Sequence, residues 1–169
     1  MTHEAPLGAL AITQIAIVVK DLRATMELYH RTLGWGPWEV YESFGPPLLH
    51  DTAIRGVPVS FTVHLAGTLV GPLAVELVQP VGGPSIFQEW LDRRGEGIHH
   101  IGGVKVGSDT DALHNELAGL GVRDLLSGSA GRDSHFFFLD SEPLLKFIFE
   151  SGSGDWSDVP LTYIYPVPE

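Results

Sequence analysis

The order of apolar and polar positions divides the chain into two similar halves. Residues 12–19, Ile-Thr-Gln-Ile-Ala-Ile-Val-Val, read as a β-branched strand. Ile15, Ile17 and Val19 share one of its faces, and Gln14, Ala16 and Val18 share the other. Asp21 then caps a helix running to about Leu33, with Leu22, Met26, Tyr29 and Leu33 as its apolar stripe and Gly34 as its stop. Trp35 to Tyr41 is a short strand. Residues 44–50 form a loop by their Gly and Pro content, and 57–65 alternate as a strand. In that strand Val57, Val59, Phe61, Val63 and Leu65 oppose the polar Ser60, Thr62 and His64. After the Gly71-Pro72 turn, residues 73–79 form an apolar strand broken by one acid, Glu76.

Residues 80–84, rich in Pro and Gly, mark the boundary, and 85–93 read as an amphipathic helix. The pattern then starts again. Residues 97–106 are a strand, Asp109 opens a helix ended by Gly121, and strands follow at 122–127, 134–139 and 145–150. Each half is thus strand, helix, then three strands: an internal βαβββ repeat over 10–80 and 97–151. Residues 81–96 link the halves. Residues 152–169 are a C-terminal arm that Trp156, Tyr163 and Tyr165 would dock.

The repeat aligns Gln14-Ile15-Ala16 with His100-Ile101-Gly102, and Val75-Glu76-Leu77 with Phe149-Glu150-Ser151. Glu76 and Glu150 lie in apolar strands, where a carboxylate is costly unless it is paired or bound to a cation. Pairing with Arg or Lys at strand ends would satisfy each singly. A divalent cation near the repeat axis satisfies both together, with Gln14, Glu76, His100 and Glu150 as ligands from four strands. Strand alternation lets only one of His99 and His100 face that site.

Composition narrows the chemistry. The chain has no cysteine, so a metal must be held by nitrogen and oxygen donors. Its 169 residues carry 21 acids against 10 bases, a net charge of −11, which argues against a nucleic-acid partner. No apolar run is long enough to span a membrane, and the N-terminus lacks the features of a secretion signal; a cytoplasmic protein is expected.

Over roughly residues 10–151 the sequence resembles the vicinal oxygen chelate superfamily, which includes glyoxalase I and methylmalonyl-CoA epimerase. The resemblance rests on segments 12–22, 29–34 and 74–80, on Gly95-Glu-Gly-Ile-His-His-Ile-Gly102, and on Phe147-Ile-Phe-Glu150. It implies an α+β fold in which two βαβββ modules form a half-open, mostly antiparallel barrel around one metal. The family's ligand positions fall on Gln14, Glu76, His100 and Glu150, with the second histidine of the pair as ligand and His99 toward the helix layer. This donor set matches animal glyoxalase I, whereas Val18 and Pro80 stand where that enzyme grips glutathione. Strand 57–65 lacks the acid that epimerases use as a base.

The expected function is therefore a metal-dependent enzyme of isomerase, epimerase or lyase type, moving a proton next to a carbonyl of a small hydrophobic substrate. One divalent ion (Zn, Ni, Co, Mn or Fe) is its cofactor and a homodimer its expected state. Glu150 and Glu76 are the candidate proton carriers, with His64 as a substitute. Ser60 and Thr62, with Trp38, Tyr41 and Phe44, would line the substrate pocket. Two alternatives are a metal-free sequestering protein of the bleomycin-resistance type and a metal-independent acid–base enzyme on the same fold.

Overall fold

The computed structural model describes residues 10–105, 110–154 and 156–167. β1 (Leu10–Val18) leads into α1 (Leu22–Leu33), whose start and stop follow the sequence. The Asp21 carboxylate accepts the Ala24 N–H at 2.9 Å, and Gly34, in the left-handed region at φ 69°, donates to His30 O. Leu22 and Met26 are buried, whereas Leu33, expected in the same stripe, is exposed.

β2 (Trp38–Phe44), β5 (Thr62–Val70) and β6 (Leu73–Gly82) complete the first group of strands. Between β2 and β5 the chain forms a hairpin, β3 (Leu49–Ile54) and β4 (Val57–Pro58), where a loop and the start of a strand were expected. The strand anticipated at 57–65 instead begins at Thr62 and runs on to Val70. Val57 and Pro58 pair instead with Ile54 and Ala53, so the alternating stretch is divided between the hairpin and β5.

After α2 (Ile86–Arg94), the second half comprises β7 (Gly97–Lys105), α3 (Thr110–Gly119), β8 (Asp124–Ala130), β9 (Ser134–Leu139), the short α4 (Glu142–Leu145) and β10 (Ile148–Ser153). Asp109, the expected cap of α3, lies outside the described residues. β11 (Tyr163–Tyr165) ends the described chain.

All strands join one open sheet in the order β11-β2-β5-β6-β1-β7-β10-β9-β8-β3-β4. β1 and β7 run antiparallel at its centre, flanked by the parallel pairs β1–β6 and β7–β10; the remaining pairs are antiparallel. The repeat is visible in this symmetry. The inserted hairpin crosses from the first half to pair with β8, and β11 crosses back to pair with β2. One core, including Val18, Val63, Val78, Phe87, Leu126 and Phe138, fills the concave side. A second, around Met26 and Trp38, lies under α1, and a third, around Leu113 and Phe149, lies under α3.

Candidate metal centre and substrate cavity

The four candidate ligands stand on four neighbouring strands, β6, β1, β7 and β10. Small residues make room for them. Glu76 lies between Ala16 on β1 and Gly67 on β5, and Gly102 on β7 lies opposite both Gln14 and Glu150. A Cβ on Gly102 would sit 2.7 Å from Glu150 Oε2 and 2.9 Å from Gln14 Cβ. The cleft between β1 and β10 therefore exists because residue 102 has no side chain.

The four side chains converge. Gln14 Nε2 donates to Glu76 Oε2 at 3.2 Å and lies 3.3 Å from His100 Nε2. Glu150 Oε2 is 3.6 Å and Glu76 Oε2 3.7 Å from the same His100 nitrogen. Donors held about 2.1 Å from one ion stand roughly 3–3.5 Å apart, close to this spacing. No group of three His, Asp or Glu side chains among the described residues closes into a ready cage. Gln14 presents its amide nitrogen, so ligation through its oxygen requires the amide to turn over. The donor chemistry, one imidazole with oxygens, fits a divalent cation.

Electrostatics favour a cation here. Burial, then the neighbouring Glu150 charge, pushes the Glu76 carboxyl up to about 8. Burial alone raises Glu150 to about 7. No Lys or Arg is among the described residues lining this end of the cavity. His100, fully buried, is held well below its ordinary range by burial and then by His99, so its ring is neutral and available as a ligand.

A cavity of about 50 Å³ opens beside Glu76 and Glu150. Its walls are apolar: Val63 and Leu65 from β5, Phe136 and Phe138 from β9, and Phe87 from α2 among them. Phe44 and Trp156 complete its wall, and Tyr41 with Trp156 lines the cleft that continues it past Gln14.

A model of the glyoxalase/bleomycin resistance protein/dioxygenase superfamily matches residues 13–138. The chain belongs to this superfamily. Solved superfamily-like structures include a hypothetical protein from Bacillus halodurans C-125, at 20% identity and a TM-score of 0.63, over 87% of this chain and 96% of that one. A methylmalonyl-CoA epimerase from Mycobacterium tuberculosis is 22% identical with a TM-score of 0.59, over 85% and 87% of the two chains. A methylmalonyl-CoA epimerase in complex with methylmalonyl-CoA and NH4+ is 24% identical with a TM-score of 0.54, over 88% and 97%. At these identities the likeness establishes the fold alone. No curated protein matches the chain significantly in sequence.

Within this superfamily fold, several expected pocket residues lie elsewhere. Ser60, Thr62 and His64 do not line the cavity; Phe61, Val63 and Leu65 do, because the barrel interior is apolar at β5. His64 Nδ1 instead accepts the N–H of Ser43, freed where β2 bulges, and Thr62 packs against Gly45, where any side chain would collide with its hydroxyl. Trp38 is fully buried under α1 and donates to Trp35 O at 3.0 Å. Phe44 does line the cavity, and Tyr41 lines the cleft that continues it.

Two contributors were not foreseen. Trp156, expected only to dock the arm, forms part of the cavity wall, stacked on Phe44 with ring centroids 5.2 Å apart. His99 packs on Phe87 and Trp90 of α2. It is also the extra residue of a β-bulge, since Ala16 pairs with His100 while Ile17 pairs with Ile98. The bulge breaks strict alternation and brings both imidazoles to one side, within 6.4 Å or less of Phe87 and Phe138.

Proposed function

We propose that this chain is a metal-dependent enzyme that moves a proton next to a carbonyl of a small hydrophobic substrate, in an isomerase, epimerase or lyase step. The observation that carries this reading is the convergence of Gln14, Glu76, His100 and Glu150 from four adjacent strands at one end of an apolar cavity. A divalent cation held there (Zn, Ni, Co, Mn or Fe all suit one imidazole and oxygen donors) would polarise a carbonyl oxygen and acidify the adjacent C–H.

The protein's own part is proton handling and exclusion of water. Glu76 and Glu150 approach the cavity from opposite flanks, where a carboxylate beside or leaving the metal can take a proton from the substrate and return it. The aromatic walls keep the reacting centre dry. His64 has no part in this chemistry, since it faces away from the cavity and serves the β2 bulge. The metal-independent acid–base reading thereby loses its proton carrier.

Elemental analysis tests the reading: about one divalent ion per purified chain, lost in Glu150→Ala and in His100→Ala. Full retention in both variants rejects the site. A metal-free sequestering role is the second reading, supported by the apolar walls and by the open donor set. Absence of metal from the purified protein, with tight binding of an apolar compound, would establish it instead. The family resemblance adds a homodimer in the cytoplasm, which light scattering and cell fractionation would check.

A further inference from the structure

We propose that the cavity takes a neutral aromatic carbonyl compound, with its ring against Trp156 of the C-terminal arm, and that its own side chains disfavour carboxylates and CoA esters. The inference rests on the reading above for where the carbonyl points, and on independent observations for the rest of the ligand.

Six of the twelve residues lining the inner cavity are aromatic: Phe44, Phe61, Phe87, Phe136, Phe138 and Trp156. Phe138 meets Phe87 edge-on, with centroids 5.9 Å apart at 87°, and Phe136 at 6.0 Å and 76°. Trp156 lies nearly parallel to Phe44, at 26°, and edge-on to Tyr41, at 75°. Rings arranged this way continue their packing onto a further flat ring more favourably than onto an aliphatic chain. Four aliphatic side chains fill the remaining wall, and Glu76 and Glu150 are the acidic side chains among its described lining residues.

In the metal-free protein an anionic ligand would meet Glu76 and Glu150 and, among the described lining residues, no Lys or Arg to offset them. Neither the inner cavity nor the cleft that continues it past Gln14 and Tyr41 has a Lys or Arg among its described lining residues. Phosphates and carboxylates are held by such groups. The epimerases that share this fold include one in complex with methylmalonyl-CoA, so the inference separates this chain from those neighbours in substrate class.

The arm is anchored for this task directly after Trp156. Asp158 accepts from the Arg132 backbone at 2.9 Å and from its guanidinium at 3.1 Å, in the turn between β8 and β9. Val159 is buried in the main core. Thr162 accepts the Glu42 N–H at 2.9 Å and donates its own N–H to Val40 O, leading into the β11–β2 pairing. Trp156 is thus a fixed wall of the cavity, although the side chain itself is partly exposed.

Calorimetric titration of the full-length protein, stripped of metal by chelation, tests this with an isosteric pair. 1-Phenylpropane-1,2-dione is neutral, and benzoylformate replaces its methyl group with an anionic oxygen. The dione is expected to bind at least tenfold tighter than benzoylformate. Trp156→Ala should weaken it about tenfold, Trp156→Phe less than threefold, and acetyl-CoA should not displace it. Equal or tighter binding of benzoylformate, displacement by acetyl-CoA, or an unchanged Kd in a folded Trp156→Ala protein overturns the proposal. Because no metal is present, this result and the metal content of the Glu150 and His100 variants fail separately.

Discussion

His99 Nδ1 lies 2.9 Å from His100 Nδ1, and both rings are buried. Two neutral imidazoles can share that contact only if one donates and the other accepts. Metal ligation through His100 Nε2 requires the His100 proton on Nδ1, where it points at His99. His99 therefore keeps the His100 Nε2 lone pair aimed at Glu76 and Glu150. Replacing His99 with Leu should lower metal affinity about 10–100-fold, the usual effect of losing a ligand's supporting partner. Competition with a chelator measures the affinity. Ring nitrogen NMR of the metal-free protein should show His100 wholly in the Nδ1–H form in the parent and mixed in the variant; an unmixed variant counts against this role.

Gly102→Ala should empty the metal site while leaving the fold in place. Gly102 has an ordinary φ, so only space is at issue. The new methyl would press on Glu150 Oε2, which can swing aside, and on Gln14 Cβ, which cannot without moving β1. We expect a loss of about 1–3 kcal/mol in stability, as for other overpacked sites. Metal content should fall below a tenth of the parent value. A variant that retains full metal would show that Glu150 need not occupy its present position.

Stability without metal should fall as pH rises from about 6.5 to 8. Glu76 and Glu150 bind protons more tightly folded than unfolded, so their contribution is lost as pH climbs toward about 8 and about 7. The buried His99, lowered to about 3, and His100 act oppositely, but their effect is complete above the unfolded histidine value of about 6.5. The glutamate slope then remains, at most about 1.4 kcal/mol per pH unit for each group. The partly exposed His50, raised by the Gly131 carbonyl and then by Asp51, acts in the same direction. Urea midpoints across the window check it. Glu76→Gln should flatten the slope, and a midpoint that rises with pH contradicts the argument.

Trp38→Ala should act on stability alone. Its side chain is wholly enclosed between α1 and β11, and its loss leaves a cavity costing about 3–5 kcal/mol. Binding of the dione by the folded fraction should stay within twofold of the parent; a larger change would place Trp38 in the substrate path after all.

The repeat, the helix caps and the four converging polar residues were legible because each follows from local pattern or from comparing one half with the other. The side of β5 that faces the cavity was not. A barrel interior that receives an apolar ligand carries the same hydrophobic signature as a core, so polar Ser60, Thr62 and His64 looked like the lining while Phe61, Val63 and Leu65 form it. The bulge at His99 leaves no compositional mark, and it alone decides that two adjacent histidines meet. The position of Trp156 depends on pairing between residues more than a hundred apart, which periodicity does not reach.

The crossing segments have a bearing on how the chain acquires its structure. β3, from the first half, covers the outer edge of β8 in the second; β11, which follows the second half, covers the outer edge of β2 in the first. Each half is thus hemmed by a strip of chain that belongs, in sequence, to the other. A fragment ending at the linker would leave β2 bare and carry a hairpin with nothing to join, and exposed strand edges invite association with other chains. The two repeats, though built alike, cannot mature one after the other; they are obliged to finish together.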